Sequence, residues 1–197
     1  MDLLDNPFHV LGASTRDDRR RLMSLADEKS LRDESGDWRE ASATLANPGK
    51  RLAAEVAWLV GVGPRSIAEL LHRLRHDPSG CRNCDHLPPL AAANFLAAGL
   101  SLAVSSVSPN DVASWIVELS RQFDNVDPDA VLALINSDRV AAGFPEVANR
   151  RLLETELAER RVFLRRALKE ALDCLPSESI VEVMTSVVEG ATQTGVV

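Results

Sequence analysis

Apolar residues recur every three or four positions along most of this chain, and no stretch sustains a period of two. The pattern therefore predicts helices and no strands. Polar punctuation marks where each helix begins. Asn6-Pro7 is an N-cap followed by proline at the first helical position, opening a short helix that Gly12 closes. Ser14 or Thr15 caps a second helix over about residues 16–31, with Asp17 and Asp18 at its positive end and Leu22, Leu25 and Ala26 turned inward. Residues 33–36 form a polar loop, and a third helix spans 37–46 until Asn47-Pro48 interrupts it. A fourth spans 49–60, with Leu52, Ala53, Val56, Ala57, Leu59 and Val60 on its buried side.

Gly61-Val62-Gly63-Pro64 reads as a hinge and a new helix start. The helix over 64–75 carries Ile67, Leu70, Leu71 and Leu74 at 3–4 spacing, and 76–89 is the least regular stretch. Residues 90–104 are small and apolar on nearly all sides, which predicts a central helix. Ser108-Pro109 and Asp127-Pro128 restart helices that run to about Phe123 and Ser137, and 141–145 make a turn. A long helix over 147–174 follows, about 40 Å at 1.5 Å per residue. Its stripe is Leu153, Leu157, Leu164, Ala167, Leu168, Ala171 and Leu172, and a last amphipathic helix covers 180–188. The expected organisation is an N-terminal domain over 1–62, a linker helix and Cys-x2-Cys loop over 63–89, and a helical bundle over 90–197, with no solenoid repeat.

Composition narrows the function classes. With 45% hydrophobic residues, 4% aromatics and no tyrosine among 197 residues, the core must be aliphatic. A net charge of -7 argues against binding a phosphate backbone, so no nucleic-acid partner is expected. No apolar run reaches the ~18–20 residues of a spanning helix, so no membrane partner is expected. Met1-Asp2-Leu3-Leu4-Asp5 lacks the basic and apolar regions of a secretory signal, and three cysteines make no disulfide scaffold. The expectation is a cytoplasmic protein. The long helix divides into a Leu/Ala face and an Arg/Glu face, which suits packing within its own bundle or pairing with a copy, hence a monomer or homodimer.

Two segments carry a family resemblance. Asn6-Pro7-Phe8-His9-Val10-Leu11-Gly12 resembles the opening of a DnaJ-type J domain, and the stretch from Trp38 to Arg51 resembles that family's segment ending in "dpekR". The resemblance covers roughly the first third of the chain and implies a J-domain-like four-helix domain there; with the helical pattern of the remainder, the expected fold is all-α, that domain followed by a C-terminal helical bundle. In that family a His-Pro-Asp loop and a basic face of the preceding helix engage a DnaK-type ATPase and stimulate it. Here Arg16, Arg19, Arg20 and Arg21 supply the basic cluster, whereas Ser30-Leu31-Arg32 stands where the tripeptide belongs. Serine has no imidazole, leucine does not rigidify the loop as proline does, and arginine reverses the aspartate's charge. The resemblance thus implies a protein partner, a DnaK-like chaperone among the candidates, without stimulation of hydrolysis. The arginines also read as a solvated face beside Asp17 and Asp18.

A second constellation is His72-x3-His76-x4-Cys81-x2-Cys84-x-His86. A Cys-x2-Cys knuckle is half of a tetrahedral zinc site, and His72 and His76 share one helix face that leads into it. Cys81 and Cys84 with His76 and His86, or with His72 in place of one of these, close a structural Zn2+ site and make a zinc-dependent or thiol-based regulatory module. A reversible Cys81–Cys84 disulfide and two plain thiols are the rival readings, the first lacking the βαβ context of a redox motif.

No nucleophile elbow or phosphate-binding glycine loop occurs, and the long helix contains no histidine for a Glu-x-x-His site. Its Glu154, Glu156 and Glu159 alternate with Arg150, Arg151, Arg160 and Arg161 as an exposed salt-bridged face. Cys174 reads as a small buried hydrophobe, Trp38, Trp58 and Trp115 as core, and His9 as a part-buried or surface side chain. No catalytic residue is expected. The sequence points to a non-enzymatic adaptor or co-chaperone-like interaction module.

Overall fold

The computed structural model describes residues 1–31, 37–82, 84 and 86–194, with side chains described through residue 188. Among the described residues the chain is all-helical and contains no strand. Its contacts gather into two compact units, each assembled from two segments. The first unit joins Met1–Gly61 to Asp127–Arg160, and the second joins Val62–Val126 to Arg161–Val197. The expected partition at 62/63 and 89/90 ran strictly along the chain. The observed grouping also breaks beside Gly61, and in addition it returns residues 127–160 to the N-terminal segment.

The first unit begins with α1 (Pro7–Leu11), α2 (Arg19–Ser30), α3 (Asp37–Ala46) and α4 (Pro48–Val56). Asn6 caps α1 as expected: its Oδ1 accepts the Phe8 N–H at 3.0 Å, and Gly12 ends the helix at φ 69°. The same side chain donates through Nδ2 to the Ala54 carbonyl at 2.9 Å, so one fully buried amide caps α1 and ties it to α4. The second helix starts later than expected. Its cap is Asp18, which accepts the Arg21 N–H at 2.7 Å, because Ser14 to Asp17 close a turn of their own around the Asp17 carboxylate. Leu22 and Ala26 are buried and Leu25 is half-buried. α3 packs against α1, α2 and α4. α4 stops at Val56 rather than 60, and a turn carries the buried run Ala57 to Val60 to Gly61 at φ 79°.

The rest of this unit comes from the returning segment. The sequence pattern ends the helix after Asp127-Pro128 near 137, whereas α8 runs Pro128–Ala141 and buries Val131, Ile135 and Arg139. The opening part of α9 (Arg150–Asp173) buries Leu153 and Leu157. Arg160 was read as part of an exposed charged face. It is instead 5% exposed and donates to the Met1 carbonyl at 2.6 Å, because it falls on the Leu153 and Leu157 side of the helix.

In the second unit, α5 (Pro64–His76) buries Leu70 and Leu74 and leads into a 3-10 helix at Pro78–Arg82. Next comes α6 (Pro89–Ala103), whose residues Leu90 to Leu100 are all buried, as its uniformly apolar sequence predicts. With the 3-10 turn that follows, Pro89–Ser106 is long and apolar enough to cross a membrane by length and composition alone, contrary to the expectation that no run reaches that length; 72% of it is buried within the fold. α6 packs on α5, on the 3-10 helix and on α7 (Pro109–Asp124), and α7 packs on α10 (Ser177–Thr194). Gly99 makes the central approach close: a Cβ there would lie 2.8 Å from the Trp115 ring and 2.9 Å from the Cys81 Cβ.

Candidate functional site

Local sequence places the four arginines on and just before the first turn of α2, and tertiary contacts then divide them. Arg16 donates through Nε to Asp138 of α8 at 2.7 Å, and the Thr15 hydroxyl donates to the other oxygen of the same carboxylate at 2.6 Å. Arg19 donates to the Ala46 carbonyl at 3.3 Å and lays its guanidinium over the Phe144 ring, 4.9 Å from the centroid. Arg21 pairs with Glu28 at 3.0 Å on its own helix. Arg20 is exposed and makes no ion pair or hydrogen bond among the described residues. The basic cluster is thus largely engaged within its own unit.

At the other end of α2, Ser30 turns its hydroxyl back to donate to the Asp27 carbonyl at 2.9 Å, and Leu31 is 88% exposed. Arg32, the third residue of the aligned tripeptide, lies outside the described residues. Lys29 fastens this end to its neighbours. Its Nζ donates to the Val10 carbonyl at 2.7 Å and stands 4.6 Å from the Trp38 ring centroid, and burial pushes its ammonium below the ordinary value.

Sequence reasoning missed the most concentrated polar assembly in this unit. Arg51, Glu55 and Arg139 are each at most 2% exposed. Glu55 accepts Arg51 Nε at 2.8 Å on one carboxylate oxygen and Arg139 Nε at 2.9 Å on the other. The remaining guanidinium donors find carbonyls. Arg51 reaches Thr15 at 2.5 Å and Leu45 at 3.3 Å, and Arg139 reaches Pro48 at 2.9 Å. Phe144 covers Arg51 at 4.1 Å and Phe8 flanks it at 5.3 Å. Desolvation pushes the Arg51 guanidinium below its ordinary value, and the Glu55 carboxylate opposes that shift. With every guanidinium nitrogen of both arginines hydrogen-bonded, this is a structural clamp joining α4, α8 and the loop before α2. The only sequence sign of it was the spacing of Arg51 and Glu55, four apart on the face shared with Leu52 and Val56.

The cysteine loop of the second unit has a different character. Cys81 is fully buried, with its thiol donating to the Asp77 carbonyl at 3.6 Å and its Cβ against Gly99. Burial pushes that thiol up to about 11, so it is protonated at neutral pH. Cys84 is also buried, and its carbonyl accepts the Leu87 N–H at 2.9 Å. Arg82, between the two cysteines, pairs with Asp111 in the first turn of α7. His72, His76 and His86 are exposed. The His72 and His76 rings lie 4.3 Å apart between centroids, but no group of three or more His, Cys, Asp or Glu side chains with metal-holding geometry forms among the described residues. Asn83 and Asp85 lie outside those residues.

Cys174, read as buried, is exposed: it follows the last residue of α9, where the chain turns away from the helix's apolar face. Trp58 and Trp115 are buried and Trp38 is half-buried, in line with their reading as core, while His9 is half-buried and stacks on Trp58 with centroids 6.4 Å apart. Compared with protein-family models, with curated proteins and with solved structures, the chain has no match.

Proposed function

We propose that this protein is a non-enzymatic adaptor of the co-chaperone kind, whose J-domain-like N-terminal helices dock on another protein without stimulating a DnaK-type ATPase. The observation that carries the reading is the order and packing of α1 to α4. A short helix precedes α2 and α3, α3 packs on both, and a short α4 follows a Pro-broken junction. This order is compatible with the resemblance and supports the reading.

The end of α2 supports the loss of the trigger. Ser30 spends its hydroxyl on its own helix, and Leu31 offers an exposed aliphatic side chain where the family presents its tripeptide. The arginine cluster supports docking through a narrower surface than the sequence implied, because Arg20 alone of the four has no ion pair or hydrogen bond among the described residues. Exposed Met23, three positions beyond Arg20, and Leu31 add apolar area to the same helix.

Two measurements test the proposal together: surface-immobilised full-length protein against a DnaK-type chaperone, and the chaperone's ATP turnover in its presence. Saturable binding that weakens in Arg20→Ala, with turnover unchanged, is the expected result. Stimulated turnover overturns the loss of the trigger, and the absence of binding overturns this partner class.

A further inference from the structure

We propose that His72 and His76 form a surface site for one borderline divalent transition-metal ion, such as Ni2+ or Zn2+, on the exposed face of α5 and independent of the cysteines. The inference stands apart from the adaptor reading.

Four positions separate the two residues, so they lie one above the other on a single helix face. The structure brings their imidazole centroids to 4.3 Å, with the ring planes inclined by 41°. Both side chains are exposed, and among the described residues neither ring nitrogen has a hydrogen-bond or ion-pair partner. Two imidazoles held this close on one exposed helix face present adjacent ring nitrogens to solvent. This is the feature that lets an i, i+4 histidine pair chelate a transition metal.

Glu69 stands one turn N-terminal on the same stripe, exposed and likewise without an ion pair among the described residues. With Asp77 it lines the shallow hollow that holds both histidines. The two carboxylates offset Arg73, the one cation lining that hollow. Asp77 serves mainly the turn after α5, accepting the Gly80 N–H at 3.0 Å and the Ser79 hydroxyl at 2.9 Å. Because no metal-holding group of three forms among the described residues, Glu69 contributes negative charge beside the pair rather than a third bond. A pair of imidazoles suits Ni2+, Cu2+ and Zn2+ rather than Mg2+ or Ca2+, which prefer all-oxygen shells.

The cysteines are poor contributors to this site. Cys81 points into the core against Gly99 and Trp115 rather than to the exposed face of α5. Exposed Cys174 is a competing soft ligand, so Cys174→Ser is the background for the test.

Calorimetric titration of that full-length variant with Ni2+ in a non-coordinating buffer reads the site. One ion per chain is expected, with affinity lowered at least about tenfold in His72→Ala and in His76→Ala, less in Glu69→Gln, and unchanged in His86→Ala. All four side chains are exposed, so the variants retain the fold, which circular dichroism verifies. Three outcomes overturn the proposal: no saturable Ni2+ binding, binding indifferent to both histidine changes, or an intense thiolate-to-Ni2+ charge-transfer band that assigns the ion to Cys81 and Cys84.

Discussion

Glu55 on α4 and Arg139 on α8, separated by 84 positions in the chain, meet at 2.9 Å in a core from which water is excluded. Glu55 also compensates Arg51, so one carboxylate stands between two buried guanidinium groups. Removing a single partner from such an assembly leaves an uncompensated charge in a low-dielectric core, and that loss outweighs any single surface contact. Glu55→Gln is expected to destabilise the protein by about 3–5 kcal/mol in urea unfolding. Arg16→Ala removes a 66%-exposed partner of Asp138 and is expected to shift stability by no more than about 1 kcal/mol. Equal effects from the two changes contradict the clamp.

The same pair bears on how much chain the N-terminal unit needs. A fragment of residues 1–62 keeps Arg51 and Glu55 but loses Arg139, Phe144 and the buried Val131, Ile135, Leu153 and Leu157. It is expected to lack a cooperative thermal transition by circular dichroism, whereas the full chain shows one. A fragment that melts as sharply as the whole protein refutes the contribution of residues 127–160.

Gly99 is a sensitive position in the second unit. In an open helix interior, Gly→Ala gains about 1 kcal/mol from backbone entropy. Here the added methyl meets the Trp115 ring and Cys81 Cβ, both fully buried, and overpacking of that kind costs about 1–3 kcal/mol. The second effect is larger, so Gly99→Ala is expected to lower the unfolding midpoint, and Gly99→Val to lower it further. A stabilised Gly99→Ala means that Trp115 has room to shift.

Thiol chemistry separates the three cysteines. At neutral pH one thiol per chain, Cys174, is expected to react rapidly with Ellman's reagent, with Cys81 and Cys84 reacting only as the fold opens. The Cys81 thiol is raised from 9.0 to about 11, so the unfolded chain gives up this proton before the folded one does. Its contribution to stability is therefore complete below about pH 9 and is lost as the pH rises through about 11. Cys81→Ala is expected to flatten that alkaline limb of the stability curve, and an unchanged limb assigns it to another group.

The helices and most of their starts were legible because the signals are local. Asn6, Asn47, Ser108 and Asp127 each accept an N–H from the turn they precede, and each is followed by proline at the first helical position. The all-apolar circumference of α6 likewise announced a central helix. Local reading failed at the second helix: Ser14 and Thr15 are good cap residues, but they belong to the turn around Asp17, and Asp18 caps the helix instead. The candidate sites were legible as residue types only. Spacing put His72 above His76, yet it gave no sign that Cys81 faces Gly99 while the histidines face solvent.

Sequence alone determined that the chain is helical, where its proline-marked breaks fall and which helix would be central, since each of these depends on residues within one or two turns. Tertiary structure decided that residues 127–160 rejoin the N-terminal helices, and that Arg51, Arg139 and Arg160 go inside. The reason is that burying a charge depends on its whole surroundings. Arg51 goes inside where Glu55, the Thr15 and Leu45 carbonyls and the Phe144 ring converge on it, and Arg139 where Glu55 and the Pro48 carbonyl meet it, and those groups are supplied by segments far apart in the chain.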